Sequence, residues 1–228
     1  MKQKIQIRCK NNKKSQKVEI GSTLFDVFSS FDLKMTHGPV SARVNNKVEG
    51  MHYRVYNSKD VEFLDMNSAS GSRAYTRTLF FVLCKAVQDI YPNTDVVIDI
   101  PVSNGFYVDI RLGRPVVDED VNILRRRMQE IIDSKMPIRR FTVPTEEAIA
   151  LFQEKGDAEK VKLLRTSGSI YTTYYKIGEY VDYYYGTLLT NTSQLYLFGL
   201  EKYYDGMLLR IPSVSNPDEL GEMTRQDK

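Results

Sequence analysis

Between Lys4 and Leu64 the chain moves through short stretches of alternating polar and apolar residues, with room among them for one helix. Lys4-Ile5-Gln6-Ile7-Arg8-Cys9 alternates as a half-buried strand should. Asn11-Asn12 supplies turn chemistry, and Gln16-Lys17-Val18-Glu19-Ile20 alternates again, so the segment opens on a hairpin. Ser22 or Thr23 is placed to cap a helix whose apolar positions Leu24, Val27, Phe28 and Phe31 share one face. Further strands are expected at Val40 to Val44, Met51 to Val55 and Val61 to Leu64. Met66 to Ser72, rich in Asn, Ser and Gly, reads as a linker.

A second region begins with a helix expected from Arg73 to Tyr91, broad in its apolar face (Leu79, Val82, Leu83, Ala86, Val87, Ile90) and ended by Pro92-Asn93. A hairpin follows, Val96 to Pro101 and Phe106 to Leu112, with its turn at Ser103-Asn104-Gly105. Asp118 is the expected cap of a long helix with Val121, Leu124, Met128 and Ile131 as its seam and Pro137 as its stop. Two shorter helices, Thr145 to Lys155 and Asp157 to Arg165, are separated by Gly156; from Ile170 to Ile211 the pattern is strand-like and dense in tyrosine. Residues from Pro212 onward read as a linker that stops without a closing element.

Length and composition allow two small soluble domains: 228 residues, 42% hydrophobic and 27% charged. Cys9 and Cys84, the only cysteines, make no disulfide framework and fit a reducing compartment. No apolar segment follows the basic N-terminus as in a signal peptide, and the longest apolar run, Leu79 to Cys84, is too short for a membrane span. A soluble, cytoplasmic protein without a membrane partner is expected. The net charge of +3 does not argue for nucleic acid, but seven cations from Lys2 to Lys17 precede the first acid, Glu19. They are either the solvated face of a hairpin or a phosphate-facing edge. Lys10, Lys13, Lys14, Arg73, Arg125 and Arg126 are the candidate RNA or phosphate contacts. In the run Arg125-Arg126-Arg127 the side chains point different ways around a helix, so at least one should meet solvent or an acid such as Glu130. The tyrosines at 171, 174, 175, 180, 183, 184 and 185 could stack bases, or fill a sheet facing helices. No GxxxxGK[ST] and no GxSxG occurs, so neither a phosphate cradle nor a nucleophile elbow is present in these residues.

Two stretches support a resemblance to known families. Two strands, one helix and more strands suggest a β-grasp, ubiquitin-like arrangement. Ile20-Gly21-Ser22-Thr23-Leu24 entering the helix, then Ala42-Arg43-Val44-Asn45-Asn46-Lys47-Val48, resemble a TGS domain, the β-grasp module of threonyl-tRNA synthetases, stringent-response synthetases and some GTPases. Tyr91-Pro92 followed by Asn104-Gly105-Phe106-Tyr107-Val108-Asp109 resembles the NGFYYD segment of the synthetase's second N-terminal domain, with Val108 in place of a tyrosine. Tyr180-Val181-Asp182, with Gly186 beyond, resembles the YVDxCxGxH segment of the same domain. The resemblance implies an α+β chain throughout. A TGS β-grasp domain would occupy 1–66 and an editing-like domain with antiparallel sheet and packed helices 73–212. Residues 213–228 would link to a missing C-terminal domain.

The departures from that family matter most. In the family, an HxxxH helix motif and a later CxxxH motif surround the reactive ester of mischarged tRNA, and a related editing family binds zinc with the same groups. Through Asn104-Gly105-Phe106 the first pair falls on Arg77 and Phe81; through Tyr180-Val181-Asp182 the second falls on Tyr184 and Leu188. Phenyl and isobutyl groups have no lone pair to give, arginine is a donor only, and tyrosine is a weak ligand. His37 and His52 both lie in the first region, so the second has no histidine. A zinc site needs about four ligands, and no set converges here. No metal, no cofactor and no catalytic residue are therefore expected. The degenerate cleft (Arg77, Phe81, Tyr184, Leu188, Asp182, Val108) either grips an anion through Arg77 or is filled by its side chains, with Arg77 paired to an acid such as Asp182.

The same pair of modules also resembles the N-terminal half of long bacterial uridine-kinase-like proteins, in which a P-loop kinase domain follows. That resemblance implies a non-catalytic regulatory half that senses a nucleotide or RNA end, with any kinase activity lying in the absent domain. The alternatives are a tRNA-binding protein derived from threonyl-tRNA synthetase, and a degenerate trans-editing hydrolase.

Overall fold

The computed structural model describes residues 3–213 and 215–222. The chain is α+β and forms two compact units: residues 1–136 with 187–228, and residues 137–186.

In the first unit, strand β1 (Lys4–Cys9) turns back into β2 (Ser15–Glu19), pairing Ile5 with Val18 and Ile7 with Gln16. Helix α1 (Leu24–Ser30) follows. Thr23 caps it, accepting from the Asp26 N–H at 3.2 Å, while the Asp26 carboxylate accepts from the Thr23 N–H at 2.8 Å. Strands β3 (Ser41–Val44), β4 (Lys47–Glu49) and β5 (Lys59–Leu64) complete a five-stranded sheet ordered β2-β1-β5-β3-β4, in which only the β1–β5 pair is parallel. Its inner face buries Ile7, Cys9, Val18, Val44, Val61 and Phe63 against Leu24, Val27 and Phe31 of the helix segment. The strand expected at Met51 to Val55 is instead a turn with one bridge, Thr23 to Arg54. Apolar alternation there serves burial of Met51 and Val55 in the core, not a ladder.

Helix α2 (Ala69–Ile90) starts four residues before the expected Arg73, because the Ser68 hydroxyl caps it at the Gly71 N–H, 3.0 Å away. Gly71 is required at this place: a Cβ there would stand 1.9 Å from the Asp65 carbonyl oxygen and 2.6 Å from Val40. The presumed linker is thus mostly the first turn of a packed helix. Strands β6 (Val96–Val102) and β7 (Gly105–Ile110) form the expected hairpin, but its central residues are Ser103 and Asn104, both with positive φ. Gly105 opens β7, where a Cβ would meet the Leu209 carbonyl oxygen at 2.6 Å. With β11 (Gly199–Tyr203) and β12 (Gly206–Arg210) they make a four-stranded antiparallel sheet ordered β11-β12-β7-β6.

Asp118 is the first residue of α3 (Asp118–Asp133), not its cap. The cap position is Val117, whose N–H is accepted by the Asp120 carboxylate at 2.9 Å. The same carboxylate, buried under Arg114 (2.6 and 2.8 Å), also accepts from the Tyr91 hydroxyl at 2.7 Å. The Arg114 guanidinium holds the Asp120 carboxyl below the usual carboxylate range, and burial together with this bond pushes Tyr91 up to about 12. Of the stretch 213–228 expected as a linker, Val214 and residues 223–228 lie outside the described residues. The remainder folds back: Pro212 bridges Leu220, Tyr196 donates to the Pro217 carbonyl, and His37 meets Asp218 at 2.7 Å. His37 also stacks on Tyr196 with centroids 3.6 Å apart.

The second unit is small. Strands β8 (Arg139–Pro144), β9 (Tyr171–Ile177) and β10 (Tyr180–Tyr183) form an antiparallel sheet ordered β10-β9-β8. Helices α4 (Thr145–Glu154) and α5 (Ala158–Thr166) close a core of Ala148, Ile149, Phe152, Val161 and Leu164 over Val143, Tyr174, Val181 and Tyr183. Strand β8 was not legible beforehand, since Arg139-Arg140-Phe141-Thr142-Val143-Pro144 carries two cations and a proline.

Candidate functional site

Helix α2 carries Arg77 and Phe81 on successive turns. The chain returns alongside it at 187–197, and the two segments are bonded at several points. Arg77 donates to the Thr187 carbonyl at 3.3 Å. The buried Thr78 hydroxyl donates to the Ala74 carbonyl at 2.8 Å and accepts from the Leu189 N–H at 2.9 Å. The Tyr75 hydroxyl accepts from the N–H groups of Tyr196 and Leu197, both at 3.0 Å, and donates to the Leu197 carbonyl at 2.8 Å. Leu188 therefore sits between two residues fastened to α2, in the neighbourhood of Arg77. Phe81, Leu188 and Val108 of β7 are each 0% exposed, whereas Arg77 is half-buried. Three of the positions that could line a cleft in this unit are packed apolar side chains, and nothing on them can polarise a carbonyl or activate water.

Tyr184 and Asp182 belong to the second unit. The Asp182 carboxylate accepts from Lys160 at 3.0 Å, from the Tyr180 hydroxyl at 2.9 Å and from the Tyr183 N–H at 2.7 Å. It is a saturated structural anion in its own unit. Lys160 is held above its ordinary range by Asp182 and Asp157, against the opposing effect of burial. Of the tyrosines, Tyr175 is buried and donates to the Gly186 carbonyl at 2.9 Å, and Tyr174 stacks on Phe141. Tyr171 and Tyr185 stand exposed. Among the described residues no group of three or more His, Cys, Asp or Glu could hold a metal ion, and no helix is long and apolar enough to cross a membrane.

The candidate phosphate contacts divide by partner. Lys10, Lys13 and Lys14 occupy the exposed turn between β1 and β2. Arg73 bonds Ser70 in the first turn of α2, Arg125 bonds Asn122, and Arg126 is exposed. Arg127 is the member of its run that turns inward: it donates to Asp89 at 3.0 and 2.9 Å and to Glu130 at 2.9 Å, joining α3 to α2. Lys85, nearly buried, meets both oxygens of Asp89 at 3.0 Å. Sequence reasoning missed that network, and missed two surface depressions. One, about 660 Å³, is lined by Gln153, Lys162, Arg165 and Thr166 on α4 and α5. The other, about 320 Å³, lies on the five-stranded sheet around Arg8. The clue to the latter was the basic run itself, read with the alternation of β1.

These features describe an α+β chain in which Arg77, Phe81, Tyr184 and Leu188 include no imidazole or thiol. No protein-family model matches it. Threonine–tRNA ligases are among its relatives. It is 30% identical over 181 residues to that of Acetivibrio thermocellus, covering 79% of this chain and 28% of the relative. It is 28% identical over 224 residues to that of Azobacteroides pseudotrichonymphae (92% and 35%), and 28% over 192 residues to that of Clostridium kluyveri (83% and 30%). The chain is thus similar over most of its length to a part of threonyl-tRNA synthetases, and spans about a third of the length of the relatives it matches.

Proposed function

We propose that this chain is a tRNA-binding module derived from a threonyl-tRNA synthetase, with a β-grasp TGS part at 1–66, an editing-like part at 73–212, and no hydrolytic activity. The observation that carries the reading is the set of occupants at the four editing positions, Arg77, Phe81, Tyr184 and Leu188, in a chain otherwise similar to the synthetases over 79–92% of its length. Phe81 and Leu188 carry no group that can move a proton or bind a metal, Arg77 is a donor only, and a phenol such as that of Tyr184 is a weak ligand in place of a thiolate. The sheet order β2-β1-β5-β3-β4 around a single helix supports the TGS assignment. The ligases reported above support the synthetase reading over that of a regulatory half of a uridine-kinase-like protein, which rests on resemblance of the module pair alone.

The test is direct. The purified chain is titrated with a threonine-type tRNA at 50 to 200 mM salt, and incubated with the same tRNA carrying serine. Binding that weakens steeply with salt, without release of serine above the spontaneous rate, is expected. Absence of tRNA binding overturns the binding reading, and catalysed deacylation overturns the loss of chemistry.

A further inference from the structure

We infer that the β1–β2 part of the sheet face opposite α1 is an RNA-phosphate-binding surface, centred on Arg8 and the depression beside it and extended by the turn between β1 and β2. The inference rests on the tRNA-binding reading and names the surface that holds the polyanion.

The placement follows from the pleat. Ile7, Cys9 and Val18 point into the core under α1, so Gln6 and Arg8 of β1, with Ser15 and Lys17 of β2, point to the opposite face. Register puts Gln6 across from Lys17 and Arg8 across from Ser15. Lys4 lies further along β1 on the same face, since alternate residues of a strand repeat about every 6.8 Å. Lys10, Lys13 and Lys14 crown the turn at one end, with Lys13 in the left-handed region. All six cations are exposed, and among the described residues none of Lys4, Arg8, Lys10, Lys13, Lys14 and Lys17 makes an ion pair. Further across this face the cation is spent: Arg43 pairs with Glu62. The field of the sheet is therefore positive on its β1–β2 side.

Lysines on an edge strand also keep it from pairing with another chain, and that accounts for Lys17 and the turn. It does not account for Arg8, which lies on an interior strand, or for the depression. The depression holds about 320 Å³ and is lined by Arg8 and Lys59 with Gln6, Ser15, Ser58 and Asp60. The Arg8 guanidinium suits a phosphate, while the Gln6 amide, the Ser15 and Ser58 hydroxyls and the Asp60 carboxylate, across from Arg8 on the same face, suit sugar hydroxyls, the groups that distinguish RNA backbone from DNA. A bare lysine patch would attract any polyanion; this one is joined to a polar recess of a size to seat one phosphate and its sugar.

The experiment compares three chains: wild type, the fourfold variant Arg8→Gln/Lys10→Ala/Lys13→Ala/Lys14→Ala, and Arg125→Ala/Arg126→Ala. Threonine-type tRNA affinity is read by anisotropy from 50 to 200 mM salt, with thermal unfolding to verify the fold. Losing four phosphate contacts should make the slope of log affinity against log salt shallower by roughly three and weaken binding at least about thirtyfold at 50 mM salt. The helix α3 variant should change little. In parallel, hydrogen exchange of the wild type with and without tRNA should show protection across residues 4–19, a measurement independent of whether the variant folds. Wild-type binding that is neither weakened in a folded fourfold variant nor accompanied by protection on β1 and β2 overturns the inference and leaves the tRNA-binding reading standing. No tRNA binding by the wild type overturns both.

Discussion

Replacing Phe81 by alanine separates a filled cleft from an open one. The Phe81 ring has no solvent exposure, and a buried aromatic side chain of this kind hides about 150 Å² or more. At about 25 cal/mol per Å² the lost burial is worth roughly 4 kcal/mol. Large-to-small changes at buried phenylalanines fall at about 3–5 kcal/mol once the residual cavity is included. For a chain of this length each kcal/mol moves Tm by about 2–4 °C, so Phe81→Ala should lower it by roughly 8–16 °C. Thermal unfolding followed by circular dichroism reads this directly. Leu188→Ala, equally buried, should cost about 2–5 kcal/mol. A Phe81→Ala protein melting within about 2 °C of wild type would refute the reasoning. The ring would then not be part of a packed core.

Two further outcomes follow from the packing of α2 and α3. Asp120→Asn removes an anion whose folded pKa lies below its unfolded value because Arg114 holds it ionised. Its contribution should be full above the unfolded value near 3.9 and vanish as pH falls through the lower folded value. Urea unfolding at pH 7 and 5 should show the same deficit in the variant, shrinking below about pH 4, and equal stability at pH 7 would sink the argument. Gly71→Ala drives a methyl into the Asp65 carbonyl and should cost at least about 1–3 kcal/mol by the same assay, so a neutral result would mean that the start of α2 can shift.

Most elements could be read along the chain because their signals are local. Alternation in β1 and β2, the Thr23–Asp26 capping pair and the seam of α3 each involve residues within a few positions of one another. The proposed loss of editing chemistry rests on the same kind of local signal: it depends on which side chains stand at Arg77, Phe81, Tyr184 and Leu188, and chemistry of a side chain needs no fold to be known. Tertiary contact decided the rest. Asp120 became the anchor of α3 because Arg114 and Tyr91 arrive beside it. Met51 to Val55 stayed out of the ladder because burial in the core, not pairing, used its apolar side chains. The recess around Arg8 exists only because β5, more than forty residues further on, lies parallel to β1. Packing and charge act through space, so partners distant in the chain leave no mark in its periodicity.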